Sequence, residues 1–246
     1  MKASISRKLF CRGGYGVHSP FAFHLITRVI EERCPYYFYH ELATARQQLL
    51  HSDRSIIRHG RRVSVRNLLR KQGVTQKESE LLFRLANYCK PRFILTLGSS
   101  AGLVPLSLTG YASGLHCLTL ESEPGLAALA QTLLSEKARS RVEIRTGACD
   151  KLFPEALEAF PQIDCLFLCR EPDAASLADF FRQSLPHMHD ETVCIMEGIR
   201  TSSAKYRLWR QCCLHPEVTA TIDLYAWGLL FFRPGLHRRT YKTFIG

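Results

Sequence analysis

From about residue 92 onward, two rhythms of apolar and polar positions alternate along this chain. Short, nearly unbroken apolar runs (Phe93 to Leu97, Leu115 to Leu120, Ile163 to Leu168, Thr192 to Met196) have the length of strands buried on both faces. A weaker run at Val142 and Ile144 belongs with them. Between them lie stretches of helical spacing and content: Leu103 to Leu108, Glu123 to Lys137, Lys151 to Ala159, Asp173 to Leu185 and Ser202 to Cys213. The end of the chain alternates from Val218 to Ile222, turns near Tyr225 to Gly228 and returns as Leu229 to Phe232, which predicts an antiparallel hairpin. Repeated strand-then-helix units predict an α/β fold: a doubly wound, mostly parallel seven-strand sheet with a C-terminal antiparallel hairpin.

The first third reads differently. Ser19 and Pro20 suit the N-cap and first position of a helix that buries Ala22, Leu25, Ile26, Val29 and Ile30. A second helix is expected from Tyr39 to His51. The pattern then weakens through an arginine-rich stretch to Gly73, apart from a short helix near Val63 to Arg70, and the expected picture there is a solvated basic face. Thr75 and Glu78 match a capping box opening a helix that stops before Pro91. The predicted organisation is a basic helical N-terminal extension, residues 1–74, and a Rossmann-like domain, residues 75–246.

Candidate chemistry clusters where the apolar runs end. Phe93 to Leu97 leads into Gly98-Ser99-Ser100-Ala101-Gly102, a small-residue turn that lets a ligand approach main-chain N–H groups, with a helix start beyond it. The next strand ends on Glu121, 23 positions after Gly98, where a carboxylate can accept from both hydroxyls of a ribose. The glycine spacing is GxxxG. It suits a pyrophosphate poorly and a ligand without one, such as S-adenosylmethionine, better. The bland alternative is an ordinary βαβ turn with a surface glutamate. Asp164 lies in a buried run, where it either positions a ligand or bonds a nearby loop. Glu197 ends another run and is the candidate general base or residual metal ligand, or else a surface or capping group.

Charge is uneven. Residues 1–92 hold 18 Lys and Arg against 6 Asp and Glu; the remainder holds 15 against 16. The excess is densest from Arg46 to Lys71, which makes an anionic partner such as RNA an alternative to a plain solvated surface. No apolar run is long enough to span a bilayer and no apolar segment follows the basic N-terminus, so a cytoplasmic protein with no membrane partner is expected. Ten scattered cysteines without a CxxC pair point to reduced thiols rather than disulfides or a metal cluster. Sequences for an α/β-hydrolase elbow, a P-loop or a zincin are absent.

Taken together, Leu97 to Gly102, Glu121, Gly147-Ala148-Cys149-Asp150, Ile163 to Phe167 and the closing hairpin resemble the class I S-adenosylmethionine-dependent methyltransferases. The likeness is to the O-methyltransferase branch, in particular uncharacterised bacterial members opening with a segment like Gly14 to His24. The resemblance implies S-adenosylmethionine as cofactor. Gly98, Ser99, Ser100 and Gly102 would cradle its methionine part, Glu121 its ribose, and Ala148, Cys149 and Asp150 its adenine, with Asp164 beside cofactor or acceptor. It implies O-methylation of a small molecule, with Glu197 and Asp164 as catalytic candidates. The alternatives are an RNA methyltransferase using the basic segment and a catalytically inactive cofactor-binding protein. Three departures stand out. Thr96 occupies a position that is often acidic, and Cys169-Arg170 and Glu197-Gly198 fall where metal-dependent members keep their ligands. The last two argue against a divalent metal. The sequence leaves the acceptor and the oligomeric state open.

Overall fold

The computed structural model describes Gly14 and residues 16–58, 60–134, 138 and 140–245. The expected helical tail at residues 135–137 lies outside them. The fold is α/β, with a mostly parallel sheet of eight strands flanked by helices. The chain forms two compact units, one of residues 34–156 and one of the residues up to 33 together with 157 onward. The 34–156 unit holds both the basic segment and the glycine turn.

In the 34–156 unit, helix α2 (Tyr39–Leu50) leads to hairpin β1 (Ser55–Arg58) and β2 (Arg61–Ser64), then α3 (Val65–Gln72). The stretch expected to be a solvated face thus includes a short antiparallel ribbon, with Ile56 and Val63 paired across it. Helix α4 (Gln76–Cys89) opens on the predicted capping box: Glu78 N donates to Thr75 Oγ1 at 3.3 Å and Thr75 N to Glu78 Oε2 at 2.7 Å. It ends at Lys90, in the left-handed region ahead of Pro91. Strands β3 (Phe93–Leu97), β4 (His116–Glu121) and β5 (Val142–Thr146) run parallel in that order, joined through α5 (Leu103–Thr109) and α6 (Pro124–Leu133). Helix α7 (Cys149–Ala159) starts two residues earlier than its pattern suggests.

The other unit begins with α1 (Pro20–Leu25), whose N-cap Ser19 accepts from Ala22 N at 3.3 Å. It continues as a π-turn, Ile26–Ile30, and all five predicted apolar positions are buried. Strand β6 (Ile163–Leu168) pairs in parallel with β7 (Met188–Glu197), which follows α8 (Ala174–Ser184). After α9 (Ser203–Cys213), the predicted hairpin forms from β8 (Ala220–Asp223) and β9 (Trp227–Phe231), and β9 runs antiparallel to β7 as well. An eighth strand, β10 (Arg239–Lys242), adds in parallel to β8. Its sequence, RTYK, buries only Tyr241 and carries no apolar periodicity to announce it.

Candidate functional site

In the 34–156 unit the predicted cofactor residues converge on the carboxyl ends of three strands. Leu97 pairs with Leu120 and Glu121 with Thr146, so the segments leaving β3, β4 and β5 start side by side. Main-chain bonds tie them together: Gly98 N donates to Leu120 O at 2.8 Å and Gly147 N to Glu121 O at 3.1 Å. Gly98 to Gly102, Glu121 and Ala148 to Asp150 are thus gathered at one edge. Ala148 and Asp150 are exposed there, and Cys149 and Asp150 form the first turn of α7.

Glu121 is buried, with 3% exposure, and turns toward the glycine loop. Its Oε2 accepts from Ser99 N at 2.9 Å and Ser99 Oγ at 2.6 Å, and its Oε1 from Glu123 N at 3.2 Å. Bonds of this charge-assisted kind make a buried carboxylate tolerable and fix its rotamer. The turn is contorted: φ is 80° at Gly98, 48° at Ser100, 56° at Ala101 and 95° at Gly102. Two residues with a Cβ held in the left-handed region cost about 1–2 kcal/mol each. Ser100 is braced, since its Oγ accepts from Val74 N at 3.1 Å. At Gly102 a side chain is excluded twice over, by φ and by Ala130 of α6, whose Cα would lie 2.9 Å from a Cβ. Thr96, one of the departures, donates within the buried sheet to Thr119 Oγ1 at 2.9 Å.

In the other unit, Glu197 stands at the carboxyl end of β7, buried and engaged. Arg170, just beyond β6, donates from Nε to Glu197 Oε1 at 2.8 Å and from its main-chain N to Oε2 at 3.0 Å. Lys205, in the first turn of α9, donates to Arg170 O. Burial holds the Lys205 ammonium below the ordinary lysine range, against raising contributions from Cys169, Glu197 and Asp173. Gly198 has φ 71° and faces Arg170, whose Cβ would lie 2.6 Å from a Cβ there. A guanidinium thus faces the Glu197 carboxylate, and this donor set does not suit a divalent metal, which takes oxygen ligands. On the same edge Arg200 forks onto Asp223, at 2.8 Å through Nη1, between the rings of Tyr206 and Tyr225.

Asp164 is elsewhere. It is the second residue of β6, near that strand's amino end, and accepts from His189 Nε2 at 2.7 Å, with β7 paired alongside. With Leu168 beside Met196, the strand rise puts Asp164 roughly 13 Å or more from the end occupied by Glu197. The expectation that Asp164 acts alongside Glu197, or on a ligand at the carboxyl edge, does not fit this place. The Arg170–Glu197–Lys205 cluster was not among the expected site residues. Its available signal was a cation directly after one buried run and an acid ending the next.

No protein-family profile and no curated protein matches the sequence. Solved structures do match in fold. An O-methyltransferase from Bacillus cereus, in complex with S-adenosylhomocysteine, is 18% identical at a TM-score of 0.56, over 85% of this chain and 96% of that one. The Streptomyces achromogenes O-methyltransferase TomG, involved in tomaymycin synthesis and solved with S-adenosylmethionine, is 16% identical at 0.57, over 92% and 98%. A methyltransferase from Podospora anserina, bound to S-adenosylhomocysteine, is 12% identical at 0.59, over 88% and 97%. The chain has the fold of class I S-adenosylmethionine-dependent O-methyltransferases.

Proposed function

We propose that this chain is an S-adenosylmethionine-dependent methyltransferase acting on an oxygen of a small molecule. The observation that carries the reading is the gathering of the glycine turn, the Glu121 carboxylate and the Ala148 to Asp150 segment at the ends of β3, β4 and β5. These residues fit an adenosyl group. The turn offers main chain without bulk at Gly98 and Gly102, and Glu121 is an acceptor suited to a diol. Because Ser99 holds that carboxylate from within the turn, a ribose takes its place among existing donors, and the rotatable Ser99 hydroxyl is the one that yields. Asp150, at the start of α7, is the proposed contact for the adenine edge.

Bound S-adenosylmethionine supplies a sulfonium-activated methyl group and its own leaving group. The protein's part is alignment and the exclusion of water, with the acceptor's proton passing to a nearby base or to solvent. Glu197 remains the candidate base, yet both of its carboxylate oxygens already accept from Arg170, through the main-chain N, Nε and Nη2. That pairing favours a second reading, a protein that binds the cofactor without turnover. Radiolabelled methyl transfer over a panel of phenols, catechols and hydroxy acids separates the two. Product on any acceptor, lost in Glu121→Ala, supports the enzyme; cofactor binding without product on the panel supports the binding protein.

A further inference from the structure

Arg170, Arg200 and Lys205 lie beyond the carboxyl ends of β6 and β7, and the first two are spent, Arg170 on Glu197 and Arg200 on Asp223. Lys205 is not. Among the described residues no carboxylate pairs with it, and its ammonium uses one of three donors, on Arg170 O. Its place is unfavourable twice over. Its main-chain N donates to Ser202 Oγ at 3.2 Å, which fixes it in the first turn of α9, where the helix dipole repels a cation and no acidic residue answers it. Half-burial adds a desolvation cost, and this keeps the ammonium below the ordinary lysine range despite Cys169, Glu197 and Asp173. Both of those carboxylates are engaged: Glu197 by Arg170, and Asp173 as the N-cap of α8, accepting from Ser176 N at 2.8 Å. A cation kept where it costs stability, with donors to spare, marks a place for an anion.

We propose that the Lys205 ammonium binds the ionised oxygen of the methyl acceptor, and that this restricts acceptors to compounds with an acidic hydroxyl, such as phenols and enols. The inference rests on the methyltransferase reading for the fate of the bound oxygen, though not for the binding itself. Magnitudes set the restriction. At an effective dielectric of about 20, a cation about 4 Å from an oxyanion favours ionisation by roughly a thousandfold. That brings a phenol from about 10 to about 7, where a large share is ionised at neutral pH. A hydroxyl as weakly acidic as that of water, about 15.7, stays protonated. With Glu197 held by Arg170, the acceptor's proton goes to water. The oxygen then forms the O–C bond as the C–S bond breaks with its electron pair left on sulfur, and Lys205 stays an ammonium throughout.

Spectrophotometric pH titration of 4-nitrophenol with excess full chain, in the absence and presence of S-adenosylhomocysteine, tests it. The expected result is a bound probe whose ratio of phenolate to phenol is at least about tenfold that of the free probe at the same pH. Lys205→Met removes this gain, and Lys205→Arg, which keeps the charge, retains most of it. 2-Phenylethanol, whose hydroxyl stays protonated, does not displace the probe. Lys205 is half-exposed, circular dichroism checks the fold of both variants, and the gain on the unaltered chain is read without any variant. No gain on the unaltered chain, with or without S-adenosylhomocysteine, overturns the proposal, as does an equal gain in Lys205→Met. Displacement by 2-phenylethanol as effective as by phenol overturns it too, since the site then reads the ring and not the charge. A chain that binds S-adenosylhomocysteine but leaves 4-nitrophenol unchanged keeps the methyltransferase reading and loses this one.

Discussion

Ser99 grips Glu121 twice, through its main-chain N–H at 2.9 Å and its hydroxyl at 2.6 Å, both on the same carboxylate oxygen. The glycine turn and the end of β4 are thereby one rigid piece. Ser99→Ala removes the hydroxyl bond and is expected to destabilise the fold by about 1–2 kcal/mol. Glu121→Gln, which weakens both bonds and the one from Glu123 N, costs about 2–3 kcal/mol. Urea unfolding reads both values. Unchanged midpoints would show that the carboxylate is not held in this way.

Arg170 and Glu197 make the corresponding pair at the end of β7. With the carboxylate buried and about a quarter of the arginine side chain exposed, Arg170→Met leaves a charge without its cation and should cost about 2–4 kcal/mol. Replacing both, as Arg170→Met/Glu197→Leu, is expected to restore much of that loss, because no unpaired charge remains. A double variant no more stable than Arg170→Met would contradict the pairing.

Buried thiols set an alkaline limit. Burial pushes Cys117 and Cys212 up to about 12, and Cys194 upward as well. An unfolded cysteine ionises near roughly 8.5, so above that pH the unfolded chain gives up protons that the folded chain keeps. The thiols' contribution is whole below that pH and declines as pH rises toward about 12. Urea midpoints taken between about pH 8 and pH 10.5 should fall, and Cys117→Ala should flatten the fall. An identical slope in the variant would count against it.

Strands β3, β4 and β6 were legible because each is buried on both faces, so its apolar run is continuous and cannot be mistaken for a surface element. Glu121 was legible for a related reason: an acid closing such a run has to lie at the sheet edge. The ribbon β1–β2 was not, since half of its residues face solvent and Arg58, Arg61 and Arg62 hide the period of two. Asp164 misled because one letter in a buried run does not say which end of the strand meets the ligand edge. The strand boundaries decide that, and β7 proved to extend back to Met188, bringing His189 alongside. The Arg170–Glu197 pair depends on which strands are neighbours, and that is a property of the sheet order rather than of any local stretch.

Titration calorimetry with S-adenosylhomocysteine, on the unaltered chain and on Glu121→Gln, asks whether the glycine turn and the Glu121 carboxylate hold an adenosyl group. Micromolar binding to the unaltered chain is expected, with a loss of at least about tenfold in the variant, the scale of hydrogen bonds to a charged group. No heat of binding to the unaltered chain, or equal affinity in the two proteins, would contradict it.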